Sequence, residues 1–195
     1  MVPASEALDR LKDGNRRFKD GLPQPSPAVS PTERVRLASG QAPFAVVLGC
    51  SDSRVPVETI FDCGPGDLFV VRVAGNVAAP TQVASIAFAV EKFGTRLVVV
   101  LGHTHCGAVG ATFEVLAEDP EAELGPLLGR IRPAVAGLAA PGGGMPDEAV
   151  LREGVRANVR VVVEGVRGVI EGEGVLMVGA VYDLETGAVE FLDPG

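Results

Sequence analysis

Four short apolar runs rich in β-branched residues constrain this chain more than any other feature: Phe44-Ala-Val-Val-Leu-Gly49, Leu68-Phe-Val-Val-Arg-Val73, Arg96-Leu-Val-Val-Val-Leu-Gly102 and Val175-Leu-Met-Val-Gly-Ala-Val-Tyr182. None shows the strict apolar/polar alternation of a strand with one wet face. Continuous runs of this kind are strands buried on both faces of a parallel sheet. Parallel neighbours need long crossovers, usually helical. One is plain: Pro80 stands at a favoured first-turn position, a helical pattern fills 81–93, Gly94 closes it, and the run at 97–101 follows. Helix-compatible stretches at 124–138 and 147–167 flank Ala139-Ala-Pro-Gly-Gly-Gly144, a loop by composition. The last run enters Asp183-Leu-Glu-Thr-Gly187 and continues over 188–192, a hairpin that adds an antiparallel edge. The expectation is an α/β fold with a mostly parallel central sheet, an antiparallel edge strand and flanking helices.

Before that core, Ala7, Leu8, Leu11 and Phe18 recur among charged residues as one apolar stripe, the pattern of an amphipathic helical arm. Residues 22–31 then carry Pro23, Pro25, Pro27 and Pro31, a stiff connector that no helix crosses. A length of 195 residues suits one core. The chain is expected to be a single domain over 1–195, with 1–43 as arm and connector and 44–195 as the α/β core.

Charge and cysteine usage exclude several classes. Seventeen Lys and Arg against 25 Asp and Glu give a net charge of −8, without the positive field that nucleic acid or an anionic membrane requires. Uncharged apolar stretches such as 97–101 and 175–182 fall far short of the ~20 residues of a membrane helix. Three cysteines cannot pair evenly, and no cationic, apolar leader precedes them, so a reducing cytoplasm is expected.

Chemistry gathers at two strand ends. Cys50-Ser-Asp-Ser-Arg54 places a thiol, a carboxylate and a guanidinium at alternate positions, which share a face in extended backbone. His103-Thr-His-Cys106 follows another buried strand, where a His and a Cys three apart can reach one ion as the chain turns into the next helix. Ligands of open α/β sheets collect at such carboxyl ends. Two thiolates and an imidazole favour Zn²⁺, and three protein ligands with a fourth position open define its catalytic form. Each element also has a plainer reading: Cys50 as a packed thiol, Asp52 and Arg54 as an ordinary ion pair. Proximity to one another favours the site. His105 is expected to face outward, and Cys63 to be core packing.

Cys-x-Asp-x-Arg paired with His-x-x-Cys about fifty residues later resembles the β-class carbonic anhydrases. The resemblance extends through Cys50-Ser-Asp-Ser-Arg-Val-Pro56, Gly64-Pro-Gly-Asp-Leu-Phe-Val-Val-Arg72, Gly75-Asn76 and Gly102-His-Thr-His-Cys-Gly107. It implies zinc ligands Cys50, His103 and Cys106 and a catalytic dyad of Asp52 and Arg54. Asp52 would accept the hydrogen of a zinc-bound hydroxide and aim its lone pair at carbon dioxide, with bicarbonate leaving. It could instead take the fourth zinc position in a closed state. Gln41 matches a glutamine lining the neighbouring subunit's pocket. Phe69 and Phe88 match pocket walls, Ala74 stands where a larger aliphatic is common, and Gly107 joins the substrate site. Family enzymes form an obligate dimer or higher homo-oligomer with the helical arm over the partner, which would give the amphipathic arm its surface. Some members build an inhibitory bicarbonate pocket from a tryptophan, an arginine and a tyrosine; Arg72 and Tyr182 match, but Val47 replaces the tryptophan.

Two rival functions share this pattern: hydrolysis of carbonyl sulfide or carbon disulfide, and a non-catalytic zinc module closed by Cys63 or His105. A structural site usually draws paired cysteines from short knuckles, whereas these ligands come singly from separate strand ends. Gly107-Ala-Val-Gly110 lacks the glycine spacing of a nucleotide loop.

Overall fold

The four apolar runs form four parallel strands of one five-stranded sheet ordered β2-β1-β3-β4-β5, and β5 joins β4 antiparallel. The computed structural model describes residues 1–22, 30–140, 142, 144–170 and 174–192. In chain order the elements are α1 (Ala4–Lys19), α2 (Pro31–Ala38), β1 (Ala45–Gly49), α3 (Val57–Ile60), β2 (Leu68–Arg72), a 3₁₀ turn (Ala74–Asn76), α4 (Pro80–Phe93), β3 (Leu97–His103), α5 (Gly107–Glu118), α6 (Leu128–Val135), α7 (Glu148–Arg167), β4 (Leu176–Tyr182) and β5 (Val189–Phe191). Every residue of β1 and β3 is buried, as strands covered on both faces must be.

Strand alternation divides the core in two. Val46, Leu48, Val98 and Val100 face a layer that includes Ile86, Val109, Phe113, Val155 and Val159 from α4, α5 and α7. Ala45, Val47, Leu97, Val99 and Leu101 face the opposite layer, built with Ala7, Leu11, Ile60 and Phe61. Helix ends follow local chemistry. Gly94 caps α4 at φ 66°, a left-handed turn that glycine takes without a Cβ clash. The Asp147 carboxylate accepts the Val150 amide at 2.9 Å to open α7.

Three details differ from the sequence reading. The arm helix finds its surface on its own chain: Ala7 and Leu11 are fully buried, and Asn15 donates to the Ile60 and Gly187 carbonyls and accepts from the Val189 amide. Its buried stripe is Ala7, Leu11, Gly14 and Asn15, while Leu8 and Phe18 are half-buried. Gly14 lies so close to the Phe61 carbonyl that a Cβ has no room. Pro31 starts α2 rather than extending the connector, with the Ser30 hydroxyl accepting the Glu33 amide at 3.1 Å; Pro23, Pro25 and Pro27 lie outside the described residues. Third, α6 spans only Leu128–Val135 of the helix expected over 124–138, because Pro126 biases the preceding residue away from helical backbone. Among the described residues, no helix is long and apolar enough to cross a membrane.

Candidate metal centre

Parallel register brings the two chemical segments together. Gly49 pairs with Leu101, so Cys50, just beyond β1, meets His103, the last residue of β3. His105 then adopts φ 55°, a left-handed turn, and delivers Cys106 to the N-cap of α5. The ligating atoms of Cys50, His103 and Cys106 all lie within 4.8 Å of one another, and all three residues are buried. The His103 ring is oriented for coordination. Its Nδ1 stands 2.9 Å from the Thr104 carbonyl, to which only an N–H can donate. That tautomer leaves Nε2 with its lone pair. Nε2 is buried and has no hydrogen-bond partner among the described residues, which is costly unless an ion completes it. Two sulfurs and this nitrogen are a donor set that fits zinc.

One of the two sulfurs already leans towards charge. The Cys106 thiol beside it lowers the Cys50 thiol to about 4 against the opposing effect of burial, with the amides of Asp52 and Gly75 assisting. The Gly75 N–H donates to Cys50 Sγ at 3.3 Å. Charge on Cys50 together with burial pushes Cys106 far up in turn, so the pair shares a proton. A divalent cation removes that conflict by ionising both.

Asp52 sits beside the cluster, with Oδ2 3.9 Å from His103 Nε2. Arg54 clamps it: Nε donates to Oδ1 at 3.0 Å, Nη2 to Oδ2 at 2.7 Å, and the Arg54 amide to Oδ1 at 2.9 Å. That fork holds the Asp52 carboxyl well below the usual carboxylate range despite some burial. Arg54 Nη2 also reaches the His105 carbonyl at 3.2 Å, tying the two segments together. From the end of β2, Arg72 donates to the Cys50 carbonyl at 2.9 Å and the Asp52 carbonyl at 2.7 Å, so the loop is pinned from two sides.

The expected substrate-site residues divide. Gly107 opens α5 next to Cys106, and Ala74 precedes the glycine that touches Cys50. Phe69, by contrast, pairs with Val46, four residues back along β1, and belongs to an aromatic group with Phe88 and Phe93 whose centroids are 5.8–6.3 Å apart. Phe88 is 52% exposed. Gln41 lines a separate cavity of about 410 Å³ with Leu37, Pro65, Gly66 and Phe93. Within one chain, then, Gln41, Phe69 and Phe88 stand apart from the cysteine–histidine cluster. His105 is partly exposed, 4.0 Å from Glu185. Cys63 is half-buried, its thiol donating to the Phe61 carbonyl at 3.3 Å. Sequence reasoning missed the roles of Thr104, Arg72 and Gly75 around the centre, because backbone partners leave no residue-type signature.

Residues 45–189 match the carbonic anhydrase family. The chain is 38% identical over 192 residues to carbonic anhydrase 2 of Mycobacterium tuberculosis, a match covering 96% of this chain and 92% of that protein. A Coccomyxa β-carbonic anhydrase solved with acetazolamide superposes with a TM-score of 0.70 at 27% identity, over 95% of this chain and 86% of that one. The chain belongs to the β-class carbonic anhydrases. A tetrameric β-carbonic anhydrase of Sordaria macrospora superposes at a TM-score of 0.68 and 26% identity, over 85% of this chain and 88% of that one. In this β-class carbonic anhydrase, Cys50, Asp52, Arg54, His103 and Cys106 all fall inside the matched segment, whereas α1, α2 and Gln41 precede it.

Proposed function

We propose that this chain catalyses the reversible hydration of carbon dioxide to bicarbonate and a proton, with Cys50, His103 and Cys106 holding zinc. The observation that carries the reading is the unpartnered, buried Nε2 of His103 facing two cysteine sulfurs, with an ionised, clamped carboxylate alongside. Zinc in a three-ligand protein site supplies a Lewis acid that makes hydroxide available near neutral pH, the behaviour for which carbonic anhydrase zinc is the standard case.

The chain's own groups do the rest. Asp52 has no proton to give while Arg54 holds it, so it acts as an acceptor, fixing an O–H next to His103 Nε2 and turning the oxygen lone pair elsewhere. Arg54 keeps that carboxylate from swinging onto the metal. Cys50 and Cys106, ionised as ligands, would offset the charge of a bound divalent ion, and the working pH would lie somewhat higher than with three neutral imidazoles. Ala74 and Gly107, next to the cluster in sequence, add little side-chain bulk and no polar side chain, which suits a small neutral molecule.

We also read the chain as a homodimer or higher homo-oligomer working in the cytoplasm. The exposed Phe88 and the position of Gln41 away from its own chain's cluster support a composite site in which both serve a neighbouring subunit. The tetramers of the Sordaria relative support the same reading. Free thiols at Cys50, Cys63 and Cys106 suit a reducing compartment.

The test is stopped-flow carbon dioxide hydration by the zinc-loaded protein beside Cys106→Ser. The wild type should turn over, and the variant should lack both zinc and activity.

A further inference from the structure

Helix α7 carries a buried asparagine on an otherwise valine-lined face. Val155, Val159, Val162, Val163 and Val166 pack into the core, and Asn158 sits among them at 1% exposure. A leucine would fill that space without desolvating an amide, so the polar group needs a reason. Its Nδ2 donates to the Gly75 carbonyl at 2.9 Å, and its Oδ1 has no hydrogen-bond partner among the described residues. Gly75 in turn presents its N–H to Cys50 Sγ at 3.3 Å. It holds a left-handed φ of 66°, where a Cβ would come within 2.7 Å of Ile131 Cδ1. The glycine is thus gripped at both ends, by α7 through its carbonyl and by the sulfur through its amide.

We infer that Asn158 is a positioning residue of the metal centre, which fixes the Gly75 amide as a hydrogen-bond donor to the Cys50 thiolate. An N–H aimed at a metal-bound thiolate draws electron density from the sulfur and fixes the direction of its lone pairs. Without the Asn158 bond the 74–76 turn loses its tie to α7, and the amide drifts from Sγ. Zinc is then held less tightly, and the sulfur donates more freely to whatever metal it binds. The inference rests on Cys50 being a ligand, as proposed above.

The test reloads metal-free protein with Co²⁺, whose thiolate charge-transfer absorption reports sulfur donation, and measures Zn²⁺ affinity by chelator competition. Asn158→Leu is compared with Asn15→Leu, which removes a buried asparagine that joins α1 to the β4–β5 hairpin and bonds neither Gly75 nor Cys50. Asn158→Leu should shift the charge-transfer band to longer wavelength and weaken zinc by about 10-fold. Asn15→Leu should lower the melting temperature and leave band and affinity as in the wild type. Wild-type band and affinity in Asn158→Leu, or in the milder Asn158→Ser should the leucine variant not fold, overturn the inference. A Cys50→Ser protein whose charge-transfer band and zinc affinity match the wild type would instead remove Cys50 as a ligand, and the inference with it.

Discussion

Asp52 Oδ2 stands 3.9 Å from His103 Nε2, two groups that cannot bond directly once the imidazole proton sits on Nδ1. A carboxylate oxygen beside a bare, buried ring nitrogen is an arrangement that a bound cation would complete. Arg54 fixes Asp52 in that arrangement, because its two-pronged bond holds both carboxylate oxygens.

Asp52→Asn should therefore keep zinc and lose hydration activity at every pH, by about 10²-fold or more. Arg54→Ala should also keep zinc and lose activity, since it frees Asp52 to take the open position on the metal. Zinc content and turnover measured on the same preparations check both. An active Arg54→Ala enzyme would remove the clamp from the account.

Cys50→Ser, His103→Ala and Cys106→Ser should each fall well below one zinc per chain, because a three-ligand site has none to spare. Cys63→Ser and His105→Ala should stay near full occupancy. Cys63 should also resist alkylation at neutral pH, as burial and nearby carboxylates push its thiol up to about 12. Metal analysis and thiol labelling read these outcomes.

Bicarbonate should not act as a cooperative inhibitor. The position of the pocket tryptophan is Val47, wholly buried in the sheet. Arg72 is engaged with the Cys50 and Asp52 carbonyls, and Tyr182 is buried against Phe18. Rate against bicarbonate concentration should follow simple product inhibition; a sigmoidal fall at low millimolar levels would contradict this.

Acid should weaken the β4–β5 hairpin through Asp183. Burial opposes its charge, but the Thr186 amide, Arg152, the Thr186 hydroxyl and the Glu185 amide together bring its carboxyl down to about 2. An unfolded aspartate titrates near 3.9. A lowered folded value means stabilisation that is complete above about pH 4 and lost as pH falls through about 2. Asp183→Asn should melt lower than the wild type at pH 7, and the difference should shrink at pH 3. Thermal melts at the two pH values decide it.

Most of the fold was legible because the strands are buried on both faces, so Val46-Val-Leu48 or Leu97-Val-Val-Val-Leu101 could hardly be anything else. The ligand cluster was legible because soft donors at two strand ends are rare. Less visible were features set by backbone and by long-range packing. No residue type announces that Thr104 lends its carbonyl to His103, or that Arg72 spends its donors on two carbonyls. The apolar stripe of α1 predicted a surface, and Asn15 ties that helix to its own chain through bonds to Ile60, Gly187 and Val189. Phe69 and Phe88 matched pocket positions through the family resemblance, and register places Phe69 four residues from the cluster along the strand.

The central claim is that zinc on Cys50, His103 and Cys106 makes this chain a carbon dioxide hydratase. Titrating metal-free protein with Zn²⁺ while following carbon dioxide hydration on the same sample, across pH, tests it directly. Activity should be absent without metal, rise in proportion to added zinc, level off at one zinc per chain, and increase from mildly acidic towards alkaline pH. Fully zinc-loaded protein that hydrates carbon dioxide no faster than buffer would contradict the account.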